Sequence, residues 1–443
     1  MILLALVVLA LAGAASHDPA SEPEARPAPQ PDALSEGFEL ARDPAVSRCL
    51  TSAPPDTVEL PRVRDLNGLV LAVSGQIVGI RQLTFERPVD AEFLDSRQIE
   101  RRISELIGEE TDAASTALDT EVLVLLGAID RGSDVGELTE AALTSQVAGL
   151  YVPSTEELLV RADDIGVVEL VTLAHELEHA LADQALGIPL PDGEVPDGQA
   201  DAVLARQALV EGDATLAMSF YQLGALGPGA QLSLLADPAA AGAQGDLAQL
   251  PDFFQRQLIY PYTAGLAYVC RIYNRDGWAG VDRAYADPPE SSAEILFGRR
   301  AAKQLRAQPA GDPGSGWERK LSNELGAVPL GWLLAAPGGD TDGAVGDPDP
   351  ALRSLAGSRV ELWQRGDGSS ALGVSLRGDP EELCRVSSDF LSARIDGGTV
   401  EAAAGVTQAW QGDGLTAALS CARRGARFGI AEDPGAASAV AAG

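Results

Sequence analysis

The sequence predicts an α+β protein: a mostly helical domain with a small sheet, followed by a small α+β module. Three observations carry this. Over much of 96–286, apolar residues recur at helical spacing, as at Ile99, Ile103 and Leu106. A hairpin pattern interrupts the helices, with extended runs at 147–152 and 157–160 around the turn residues Pro153-Ser154-Thr155-Glu156. After a Gly- and Pro-rich stretch at 338–350, strand patterns at 359–364 and 371–376 flank Gly366-Asp367-Gly368. A short helix near 380–391 and strands near 415–421 and 426–430 complete the module.

The 443 residues suit two or three domains. Residues 1–15 are almost wholly apolar, too short for an ordinary membrane helix, and end in a small-x-small site at Ala12-Gly13-Ala14, so they read as a secretory signal. Residues 16–56 are rich in Pro, Ala and acids and read as a poorly ordered linker. The main domain is expected over 57–335 and the module over 351–435. Within the main domain the pattern gives a strand at 87–94, then helices over 96–107, 113–129 and 138–147. After the hairpin a strong helix over 166–186 stops at Gly187-Ile188-Pro189. A polar loop, 191–198, leads to a helix over 199–223, then a long Gly/Ala/Pro-rich loop over 225–248. Helices resume at 253–274 and 280–285.

Charge excludes some functions. Thirty-two basic against 65 acidic residues leave a net −33, a surface that repels nucleic acid and anionic membrane. No later segment reads as a membrane span. The four cysteines, Cys49, Cys270, Cys384 and Cys421, suggest two disulfides in an exported chain, whether periplasmic, cell-surface or extracellular. Cys384–Cys421 is the favoured pairing because both lie in the C-terminal segment. Cys49–Cys270 would then tie the N-terminal arm to the main domain.

The chemistry sits on the helix at 166–186. His175-Glu176-Leu177-Glu178-His179 has the form His-Glu-x-x-His, and four residues are slightly more than one turn, so both imidazoles share a face. Two such side chains reach one zinc ion. Glu176 projects beside the metal, where it can take a proton from water and pass it to a leaving amine. The chain has three histidines, and His17 lies at the edge of the signal, so both remaining ones are in the motif. Leu173, Leu177, Ala180 and Leu181 surround the pair, and two unpaired imidazoles in such a setting would be costly.

A catalytic zinc needs a third protein ligand. Without another histidine a carboxylate must supply it, and Glu211 is the leading candidate, with Asp213 as the competitor. Leu204, Ala208 and Met218 share the face of Glu211, which makes it an acid in an apolar layer. Gly212 would let the two ligand helices approach closely. Asp183 is a candidate partner for the second ring nitrogen of His179, and Asp213 or Thr215 for that of His175. Glu178 faces sideways and reads as a surface charge.

Residues 175–184 (HELEHALADQ) and 208–215 (ALVEGDAT) resemble a group of bacterial secreted, largely uncharacterised zinc-metallopeptidase-like proteins of gluzincin type, with two His and one Glu as ligands. The segments 146–151 (QVAGLY), 260–265 (YPYTAG) and 288–296 (PPESSAEIL) fit the same group. The resemblance covers about 140–300 and is loose outside it. It implies a zincin-like fold, Zn2+ as cofactor and hydrolysis of a peptide or protein substrate. The family often carries a histidine where this chain has Phe297, which bears on activity. With no spare histidine, a donor for the tetrahedral oxyanion must be Tyr, Arg or backbone amide, and Tyr260 and Tyr262 are the candidates. The strand at 150–160 could bind substrate backbone by strand addition. The alternative function is a zincin-fold pseudoenzyme or zinc-binding surface protein, a binding module without hydrolysis.

Overall fold

The computed structural model describes residues 43–52, 65–110, 112–146, 149–161, 166–191, 195, 198–225, 249–298, 307, 309–335 and 349–443. The expected signal, most of the 16–56 linker and nearly all of the 225–248 and 338–350 loops lie outside the described residues.

The first elements are α1 (Pro44–Thr51), α2 (Leu66–Arg81), β1 (Ala91–Leu94), α3 (Ser96–Glu110), α4 (Ala113–Leu126) and α5 (Val135–Gln146). The hairpin follows as β2 (Gly149–Val152) and β3 (Glu157–Arg161), then α6 (Val167–Leu186) and α7 (Ala200–Ala225). Next come α8 (Asp252–Asp276), α9 (Trp278–Ala286) and α10 (Ser292–Phe297). The rest is β4 (Trp317–Asn323), α11 (Ala327–Ala335), α12 (Asp349–Ser354), β5 (Gly357–Arg365), β6 (Ser370–Arg377), α13 (Pro380–Arg394), β7 (Gly397–Val400), β8 (Gln408–Gly412), β9 (Leu415–Ala422), β10 (Gly425–Ala431) and α14 (Pro434–Ala442). The protein is therefore a mixed α and β structure, as expected.

Helix starts are written in the side chains. Asp43, Asp379 and Asp433 each precede a proline, and each carboxylate accepts a backbone N–H of the first turn, as from Ala45 N at 2.7 Å. Aspartate satisfies an orphan donor, while proline at the first position has none to lose. Helix α6 starts instead with Glu169 reaching back to the Gly166 N–H at 2.8 Å, and ends at Gly187.

The first sheet is β1-β3-β2, with β1 parallel and β2 antiparallel to β3. Strand β2 is thus an edge, and α6 lies along it. One core joins α2, this sheet, α6, α7 and α8. The second sheet is antiparallel throughout, in the order β4-β5-β6-β10-β9-β8-β7. Helix α13 covers one face through Leu383, Val386 and Phe390, and α14 covers the other through Ala437, Val440 and Ala441.

Several expectations need correction. The arm before 57 is not all linker: α1 docks on α8 through Cys49–Cys270, Cα atoms 5.5 Å apart, and through Asn274 Nδ2 donating to Ala45 O at 2.7 Å. Its Val46 and Cys49 are buried, which outweighs the acidic, proline-rich composition around it. The C-terminal sheet begins before the expected linker, because β4 pairs with β5, and α14 extends it past 435. The two parts also share packing. Val122, Leu125 and Leu126 of α4 enter the C-terminal core, and Arg394 donates to Val124 O and Leu125 O at 2.9 and 3.1 Å. The second disulfide, Cys384–Cys421, joins α13 to β9 with Cα atoms 5.6 Å apart, the favoured pairing.

Candidate metal centre

Helices α6 and α7 bring the predicted ligands together. His175 Nε2 lies 2.9 Å from His179 Nε2, and Glu211 Oε2 lies 3.2 Å from the first and 3.3 Å from the second. All three side chains are at most 1 % exposed, so solvent does not screen them. Three lone-pair-bearing atoms this close repel one another unless a proton or a cation lies among them. Around a tetrahedral ion with ligands at about 2.0–2.1 Å, neighbouring ligand atoms stand about 3.3 Å apart. The donor set and its spacing therefore could hold a metal ion. Neither Nδ1 has a hydrogen-bond partner among the described residues.

Protonation in the metal-free chain follows from this geometry. Burial drives His175 down to about 4, only partly opposed by its bond to Glu211. Burial also pulls on His179, but Glu211, with Glu176 and Glu178 nearby, more than offsets it and lifts that imidazole to about 9. Burial raises Glu211 as well, yet His179 and His175 hold it below the usual carboxylate range. The trio thus keeps one proton on His179, which is the place a cation would take.

Glu176 is fully buried, which pushes it up to about 8. Its Oε2 accepts the Tyr151 N–H at 2.8 Å, while Oε1 has no hydrogen-bond partner among the described residues. The close approach of β2 to α6 makes this bond. A Cβ on Gly149 would come within 2.6 Å of Thr172 Cγ2 and 3.1 Å of Glu176 Cγ. The Tyr151 hydroxyl donates to Asp183 Oδ2 at 2.8 Å, so Asp183 secures the strand and is not bonded to His179 Nδ1.

Gly212 does permit a close approach, but to α8 rather than α6. A Cβ there would collide with the Gly265 carbonyl, and one on Gly265 would collide with Ala208 O. This crossing seats α8 on α7 and brings Tyr262 beside the site, its ring centroid 6.1 Å from that of His175. Tyr260, about 200° around the helix, turns instead to Trp332, at 5.6 Å between rings, and to Ala205, Ala208 and Ile295. Phe297 packs against the C-terminal core with the Arg353 guanidinium 4.4 Å over its ring. Its contacts are therefore with the C-terminal part, not with the trio.

Sequence reasoning missed the groups behind the trio. Glu178 is not a surface charge but is wholly buried, and Asp213 is bonded to an arginine rather than to the imidazoles. Arg81, from the last turn of α2, is also buried. It donates to Asp213 through Nε at 3.0 and 3.1 Å and through Nη2 at 3.0 Å. Its Nε lies 3.6 Å from Glu178 Oε1 and its Nη1 2.7 Å from Asp282 Oδ1. The Trp278 ring covers the guanidinium at 4.7 Å. Burial and Asp213 push Glu178 well above the usual range despite Arg81. Asp213 was legible as an acid in an apolar helix; Arg81, 132 residues away, carried no local signal.

No protein-family model matches the chain, and no curated protein matches it. Among solved structures it is similar to a protein from Chloroflexus aurantiacus described as a candidate hydrolase with a novel fold. The identity is 18 %, the match covers 58 % of this chain and 94 % of that one, and the TM-score is 0.35. A likeness this weak carries no inference about fold or activity.

Proposed function

We propose that the chain is an exported zinc metallopeptidase of gluzincin type, with a zincin-like arrangement of helices and edge strand in its main domain. The observation that carries this is the convergence of His175 Nε2, His179 Nε2 and Glu211 Oε2 within 3.3 Å of one another. Zinc held by those three atoms would supply a Lewis acid able to lower the pKa of water to about 7 and to polarise a carbonyl. Glu176 takes the proton of the attacking water on its free Oε1 and delivers it to the leaving amine, while the Tyr151 N–H fixes the carboxyl through Oε2. Tyr262, beside His175, donates to the developing oxyanion. Tyr260 belongs to the packing of α8 on Trp332. The two disulfides support an exported location, and the substrate is a peptide or protein.

One observation favours a binding module without hydrolysis as a second reading. His175 and Glu176 are both 0 % exposed, so a peptide reaches them only if neighbouring groups move. The test is one zinc per chain by elemental analysis, with turnover on a mixed peptide library. Glu176→Gln should keep the zinc and abolish turnover. Wild-type protein that retains no zinc after loading and desalting would remove the metal centre. Zinc without turnover would leave the binding module.

A further inference from the structure

We propose that Arg81 is a positioning residue of the metal centre, fixing the third-ligand helix α7 against the histidine helix α6. The inference rests on the metal-centre reading and adds a group that does not touch the ligands. Glu211 and the histidines lie on different helices, so their spacing is no better than the registration of α6 on α7. Arg81 lies where carboxyl groups of both helices meet one guanidinium. It holds Asp213, two residues after Glu211, with three hydrogen bonds of 3.0–3.1 Å. It also lies 3.6 Å from Glu178, which sits between Glu176 and His179 on α6.

The guanidinium is itself immobilised. Its side chain is 0 % exposed, Trp278 covers its face, and Asp282 Oδ1 of α9 lies 2.7 Å from its third nitrogen as an ion pair. A planar fork holds a carboxylate through two nitrogens at fixed angles, as it holds Asp213; a lysine ammonium cannot reproduce that fork. Glu178 lies between this guanidinium and the ligands. Its Oε2 stands 4.0 Å from His179 Nδ1, the ring nitrogen turned away from the trio. Displacing Arg81 would therefore free both Glu178 beside His179 and the turn that carries Glu211.

The experiment uses the full chain and cobalt(II) alone as the probe, because its visible spectrum reports coordination geometry. Wild type, Arg81→Lys and Arg81→Gln are first checked for native near-UV circular dichroism without metal, then titrated. Arg81→Lys keeps a cation against the buried carboxylates, so it gives a folded comparison even if the glutamine variant does not fold. The expected result is an affinity lower by about 10–100-fold, the range for loss of groups that orient metal ligands, together with a shifted cobalt band. A merely structural arginine would lower the melting temperature and leave both the dissociation constant and the band unchanged. That outcome in Arg81→Lys overturns the proposal. Wild type that takes up no cobalt or zinc overturns the metal-centre reading instead, so the two failures are distinguishable.

Discussion

Zinc loading at a series of pH values tests the geometry of the trio. In the metal-free chain Glu211, 3.3 Å from His179 Nε2, holds that imidazole at about 9 against the pull of burial. A cation bound at Nε2 must expel the proton. Below about pH 9 the apparent affinity should therefore fall about tenfold for each pH unit. Between about pH 8 and about pH 6 the loss from His179 alone is about 100-fold, or about 2.7 kcal/mol at about 1.36 kcal/mol per unit. Glu176, raised to about 8 by burial, holds a second proton that a neighbouring cation would release. The slope should thus lie between one and two protons per zinc. His175, at about 4, adds nothing in this window. The assay is competition against a chelator of known proton affinity, with calorimetry in two buffers of different ionisation enthalpy to count protons. An affinity that is flat across this range, or binding without proton release near neutrality, would refute the reasoning.

The metal-free chain should show the opposite trend. His179 is raised above its unfolded value of 6.5, so its contribution to stability is full below about 6.5 and is lost as pH rises through about 9, as chelator-treated protein unfolded in urea would reveal. Glu211→Ala should weaken zinc binding more than Asp213→Ala does. The latter strands the buried Arg81 and should cost about 3–5 kcal/mol in urea unfolding, with at most about 10–100-fold in affinity. The reverse order of affinities would exchange the ligand assignment. Tyr262→Phe should lower kcat by about 10²–10³-fold with little change in KM, and Tyr260→Phe should leave both near wild type; equal effects would sink the oxyanion role. Replacing Cys49 and Cys270 by Ser opens a crosslink between positions 221 residues apart, so the loss should be about 5 kcal/mol. Unchanged unfolding by denaturant would show that α1 docks without it.

Much of the fold was legible because its signals are local. Helix α6 was readable within a residue at either end, because an apolar face runs to Gly187-Ile188-Pro189. The hairpin β2–β3 followed from turn residues between two extended runs. The Asp-Pro starts at 43, 379 and 433 were equally local signals, and reading the first would have rescued α1 from the linker. Strand β4 was missed because it is mostly polar, and its place depends on β5, 34 or more residues further on.

The sequence by itself singled out the two histidines and Glu176, because helical periodicity puts residues three and four apart on one face, as Glu176 and His175 stand to His179. It also narrowed the third ligand to Glu211 or Asp213. Only the tertiary structure tells the two apart: Glu211 turns to the imidazoles, while Asp213 turns to an arginine 132 residues earlier. The same holds for Glu178 and Asp183, an expected surface charge and an expected histidine partner. Their roles depend on Arg81 and Tyr151 arriving from other elements. Periodicity states which way a side chain leaves its own helix. It does not state what it meets there, since a buried carboxylate is equally satisfied by a metal, a guanidinium or a hydroxyl, and the packing of distant segments chooses among them.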